Sequence, residues 1–142
     1  MAGDDDSLGL TIGRVAKEVT RAFDDVLAAA GGSSPAWQVL RALSTGTHRT
    51  QADLAAAVGV RQPTLSHHLE EMERAGLVVR ERTDGNRRVQ VVTVTEPGRQ
   101  LFLRLRRAAA SFDGRLRAGL EDADVAHLRR LLDQLRDNAR PD

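Results

Sequence analysis

The sequence predicts a mainly α fold carrying one small β-hairpin, an α+β class built as a winged helix-turn-helix with long N- and C-terminal helices. Three observations lead there. Two short helical patterns meet at a glycine turn between Thr50 and Leu77. A β-branched hairpin pattern follows at once, from Leu77 to Val94. Long amphipathic stripes occupy both ends of the chain.

In chain order, Leu8, Ile12, Val15, Val19, Ala22 or Phe23, Val26 and Ala30 recur every three or four residues, and Gly31-Gly32 ends the run, as an amphipathic helix requires. Ser34-Pro35 caps and starts a second helix through Leu43, with Trp37, Leu40 and Leu43 on its inner side. The lone Trp37 reads first as a core residue. Ser44 to Arg49 is a polar connection. Thr50 N-caps the third helix, with Asp53 placed as a capping-box acid, and Leu54, Ala55 and Val58 line its inner face before Gly59 stops it. Pro63 fits the first turn of a fourth helix, where its missing N–H costs nothing. Leu65, Leu69 and Met72 are that helix's buried stripe, and Val60 plugs the gap between the two helices. Strands are expected over 77–82 and 89–94 around the turn Thr83-Asp84-Gly85-Asn86. Thr95 N-caps a further long helix striped by Leu101, Leu105, Ala108 or Ala109, Phe112, Leu116 and Leu120. The last helix starts at Asp122 or Asp124 and aligns Val125, Leu128, Leu131, Leu132 and Leu135, with Pro141 beyond its end.

With Leu65, Leu69 and Met72 inward, the fourth helix shows Arg61, Gln62, Pro63, Thr64, Ser66 and His67 to solvent near its start. A helix-turn-helix places its second helix in the DNA major groove. Gln62 can bond adenine bidentately, Ser66 and Thr64 can bond bases or phosphates, and the Thr64 methyl can touch a thymine methyl. Glu70, Glu71 and Glu73 against Arg74 make the second half of the helix repel phosphate, so only its first two turns are expected in the groove. The hairpin reads as a wing. Residues 80–88 hold four Arg against one Glu and one Asp, and Arg82, Asp84, Arg87 and Arg88 are its candidate DNA residues, arginines near such a tip suiting the narrow minor groove.

At 142 residues the chain is expected to form one domain with a real core: 1–7 a disordered acidic tail, 8–31 and 99–138 dimerisation helices, 35–95 the winged helix-turn-helix. The absence of Cys excludes disulfides, thiolate metal sites and thiol redox sensing. No apolar run approaches membrane-spanning length and no leader opens the chain, so the expectation is a soluble cytoplasmic protein without membrane partners. The net charge of +1 says little, but Arg99 to Arg117 holds six Arg and one Asp. Terminal helices this long cannot all bury their stripes on so small a module. Packing on a second copy solves that through a two-fold interface, and a two-fold dimer predicts an inverted-repeat operator. The alternative is a monomer whose terminal helices wrap the core.

The chain resembles MarR-type winged-helix transcriptional regulators over nearly its whole length. The resemblance is carried by Pro35 through Leu43, Gln62-Pro63-Thr64-Leu65-Ser66, Ala75-Gly76-Leu77-Val78, Arg87-Arg88 and Val94-Thr95-Glu96-Pro97-Gly98-Arg99. It implies a homodimeric, DNA-binding regulator of repressor type, with Arg88 as the wing arginine. It also implies release by a small aromatic or phenolic ligand held between the dimerisation helices and the winged module, where Phe23, Trp37, Phe102 and Phe112 are the candidates. The chain departs from the family at Asn86, which stands where Asp usually precedes the basic pair, at Arg61, often Ser, and at His68, usually apolar. Leu65 through Leu69 followed by Ala75 through Val78 also resembles ArsR-type regulators, so a metal-responsive regulator is one alternative. A winged helix used for protein contacts is another.

His67 and His68 are adjacent and point about 100° apart on a helix, which does not favour one shared ion. His48 and His127 are isolated. No metal, cofactor or catalytic site is expected: the chain has no phosphate-cradling glycine loop, no His-Glu-x-x-His and no nucleophile elbow.

Overall fold

The structure, a computed structural model, describes residues 7–46, 50–82 and 90–141, with the side chain of Arg82 outside the description. Its elements are α1 (Leu8–Ala29), α2 (Ser34–Ser44), α3 (Gln51–Val58), α4 (Gln62–Arg74), β1 (Val78–Arg82), β2 (Gln90–Val94), α5 (Glu96–Leu116) and α6 (Asp122–Ala139). Helices dominate, and the two strands form one antiparallel hairpin with Val78 opposite Val94 and Arg80 opposite Val92. The fold class is the one the sequence predicts.

The helix ends show why these segments stop where they do. Ser7, assigned to the tail from sequence, caps α1 by accepting from the Leu10 N–H at 3.3 Å. Ser33 rather than Ser34 caps α2, accepting from Ala36 N–H at 3.2 Å, and leaves Pro35 in the first turn. Thr50 Oγ1 caps α3 through the Asp53 N–H at 3.1 Å. Gly59 closes α3 with φ of +79°, a conformation that glycine enters without a Cβ penalty. Thr95 does two things at once. Its Oγ1 accepts from the Gly98 N–H at 3.2 Å and its hydroxyl donates to Gly76 C=O at 2.6 Å, so the cap of α5 also ties down the turn after α4. Gly98 is required there, because a Cβ would sit 2.1 Å from the Leu77 carbonyl oxygen.

The chain divides into two compact units, Met1–Ala109 and Ala110–Asp142. Every buried apolar side chain among the described residues lies in the first, between Leu27 and Leu105. α2 is central, packing on α1, α3, α4 and β2, and it buries Ala36, Val39 and Leu40 while Trp37 and Leu43 pack partly buried at the edge. The inner side read from sequence, Trp37-Leu40-Leu43, is therefore only half of the covered surface; a helix packed on several sides buries more than one stripe. α1 contributes the fully buried Leu27, which lies off the stripe through Val26, while Leu8 and Val15 on that stripe are exposed. An isolated bridge between Thr50 and Val91 joins the start of α3 to the hairpin. In the second unit, α6 buries no residue, and Leu128, Leu131 and Leu132 are each nearly half exposed. No helix among the described residues is long and apolar enough to cross a membrane.

Candidate nucleic-acid interface

Leu65, Leu69 and Met72 hold α4 against the core, and that burial dictates what remains outside. Arg61, Gln62, Pro63, Thr64 and His67 are exposed, and Ser66 is half-buried. Arg61 stands at the N-cap in extended backbone without a side-chain capping bond, so no side chain of the cap residue claims the first-turn N–H groups. Such groups carry partial positive charge and suit a phosphate oxygen. The first two turns of α4 thus present a guanidinium, an amide, a hydroxyl and an imidazole to solvent, a mixture fitted to base edges and phosphates.

The acidic second half of α4 is less repulsive than its composition implies. His67 Nε2 lies 3.3 Å from Glu71 Oε1, one turn on. Glu73 is held by Arg80 of β1: Nε reaches Oε2 and Nη2 reaches Oε1, each at 3.3 Å, and the Arg80 backbone N–H donates to Oε2 at 3.2 Å. The Arg80 side-chain hydrogen bond, aided by its charge and its backbone N–H, holds the Glu73 carboxyl below its ordinary value despite an opposing desolvation effect. By sequence alone Arg80 belongs to the wing's basic surplus; the structure gives it to Glu73. Only knowing which strand face turns toward α4 reveals this.

Of the wing residues, Arg82 ends β1, while Asp84, Arg87 and Arg88 lie outside the described residues, as does His48. Phe23 and Trp37 line a cavity of about 530 Å³ with Arg41 and Val58. Phe102 lines another, of about 520 Å³, with Leu40, Leu43, Val92 and Arg99. The Trp37 and Phe102 rings stack on each other, 5.8 Å between centroids and 19° apart in plane, in an offset-stacked range that favours aromatic pairs. Phe112 belongs to the second unit, where the Arg115 guanidinium sits 5.7 Å from its ring centroid. The His67 and His68 rings are 6.2 Å apart and tilted. Among the described residues no group of three His, Cys, Asp or Glu side chains is placed to hold a metal ion.

Comparison with known proteins gives this geometry a setting. Residues 31–89 match the MarR family. A MarR-family transcriptional regulator from Rhodococcus sp. RHA1 is similar in structure with a TM-score of 0.75 and 26% identity, over 95% of this chain and 96% of that one. The transcriptional repressor CouR, bound to a 23-mer DNA duplex, is similar with a TM-score of 0.79 and 27% identity, over 94% and 93% of the two chains. A Mycobacterium tuberculosis MarR-family protein in complex with salicylic acid is similar with a TM-score of 0.66 and 28% identity, over 93% and 98%.

Proposed function

We propose that this chain, whose winged module is of the MarR family, is a transcriptional repressor that binds double-stranded DNA sequence-specifically as a homodimer on an inverted repeat. The observation that carries the reading is the exposed start of α4, seated on α3 by a fully buried stripe and followed directly by the β1–β2 hairpin. In this reading Gln62, Thr64, Ser66 and His67 meet base edges, Arg61 meets phosphate, and Arg82, Arg87 and Arg88 on the wing meet the neighbouring minor groove, with Asp84 at the turn. The similar repressor bound to DNA supports it. The second copy covers the leucines of α6, a helix with no fully buried residue in its own chain; an apolar stripe left in water is a standing cost that a two-fold contact removes. Its work is regulation rather than catalysis, carried out in the cytoplasm, where its DNA partner lies.

Selection from random-core duplexes tests the reading. The selected pool is expected to carry two half-sites about one helical turn apart, with affinity falling steeply as salt rises because bound phosphates release counterions. Arg88→Ala should flatten that slope by about one, and Gln62→Ala should change the selected base instead of weakening all duplexes equally. Absence of duplex binding in dilute buffer would leave the protein-contact alternative standing. A small aromatic ligand is the proposed releasing signal, supported by the similar protein that holds salicylic acid. Its site is proposed at Phe23, Trp37 and Phe102, where the Trp37 and Phe102 rings stack. Trp37 is the only tryptophan, so its fluorescence on adding salicylate reports occupancy directly.

A further inference from the structure

Strand geometry places Arg80 on the inner face of the hairpin. It stands two residues from Val78, which is 1% exposed, and opposite Val92, which is 2% exposed. Its side chain therefore turns toward α4 instead of toward solvent, and it is only 17% exposed against 42% for Glu73. Three hydrogen bonds converge on the one carboxylate, two from the guanidinium fork and one from the strand's own backbone. A fork engaged by both carboxylate oxygens fixes orientation as well as distance, which a point-charge ammonium does not. The other ties between α4 and the hairpin, Leu77 N–H to Met72 C=O at 2.9 Å and Thr95 to Gly76, hold only its root. Arg80 lies further out, and because it pairs with Val92, holding it holds both strands.

We infer that Glu73 and Arg80 are a positioning pair that sets the angle between α4 and the hairpin, so that helix and wing meet a duplex in one fixed register, and that Arg80 itself touches no phosphate. The inference rests on the proposed DNA contact of the wing. Partly exposed ion pairs add little to stability, so the pair's effect lies in geometry: disturbing it changes DNA affinity far more than folding.

The test uses the full-length protein and the selected duplex. Arg80→Lys keeps the charge and loses the fork; it should bind about tenfold more weakly, in the range of losing an oriented, charge-assisted bond, with its thermal midpoint nearly unchanged. Glu73→Gln should weaken binding in the same direction although it removes a negative charge, the opposite of what phosphate repulsion alone would give. Arg80→Gln should leave the salt slope unchanged, and a fall of about one would show a phosphate contact and overturn the inference. The deciding measurement is a double-mutant cycle between Arg80→Lys and Arg88→Ala. If the pair aims the wing, Arg80→Lys costs little once Arg88 is gone. Additive losses, with Arg88→Ala weakening binding by itself, would overturn the positioning role and leave the wing contact intact. An Arg88→Ala variant that binds as wild type would overturn both.

Discussion

α4 and α6 carry leucine stripes of the same kind and meet opposite fates. Leu65 and Leu69 of α4 are completely buried, whereas Leu128, Leu131 and Leu132 of α6 are 48%, 46% and 45% exposed. The difference does not come from the spacing of the leucines, since both sets repeat at three or four residues. It comes from what surrounds them. α4 is packed on α2, α3 and β1 within the first unit, while α6 has no buried residue to show for its stripe. Periodicity says that a helix has an apolar face; it does not say whether the same chain covers it.

Mutation at the two sites should separate these cases. Leu69→Ala removes a fully buried side chain from close packing, and a loss of about 2–5 kcal/mol is expected from the transfer and cavity costs together; urea unfolding measures it. Leu131→Asp should leave the winged core folded and act on association instead. Wild-type protein should sediment as a dimer and lose about 1.4 kcal/mol of apparent stability per tenfold dilution if folding and assembly are coupled. The Leu131→Asp protein should sediment as a monomer, and a wild-type monomer at the same concentration would remove the basis for a second copy on α6.

The smallest effect belongs to the acid limb of the stability curve. Glu73 is held below its ordinary value of 4.5 in the folded protein. Its ion pair therefore adds stability that is fully present above that value and is lost as pH falls through the lower folded one. With the carboxylate 42% exposed, screening keeps the contribution under about 1 kcal/mol. The urea midpoints of wild type and Glu73→Gln should differ slightly near neutral pH and converge as pH falls through the lowered folded value; a gap that widens on acidification would contradict the assignment.

Much of the local structure is legible in particular residues. Thr50 and Thr95 cap because a hydroxyl one turn ahead of an N–H satisfies it wherever the helix lies. Gly59 ends α3 because that backbone conformation excludes most side chains. Pattern misled where a residue's neighbours came from elsewhere in the chain. Leu27 lies beside the apolar stripe of α1 yet is the residue of that helix that is completely buried, and the bridge from Thr50 to Val91 joins segments some forty residues apart. Phe23, Trp37 and Phe102 are gathered from three helices, and the stack of Trp37 on Phe102 has no signature in spacing.

The amino-acid order by itself determined the caps, the glycine stops, the apolar faces and the succession of helix, turn, helix and hairpin, since each depends on residues within a turn or two of one another. Tertiary structure alone decided which face of α2 and which residue of α1 enter the core, and it alone assigned Arg80 to Glu73 instead of to the wing's outer surface. The physical reason is range. Backbone capping and strand propensity act over a few ångströms along the chain, whereas burial and ion pairing depend on which distant segments share a volume, and that is settled only when the whole module closes.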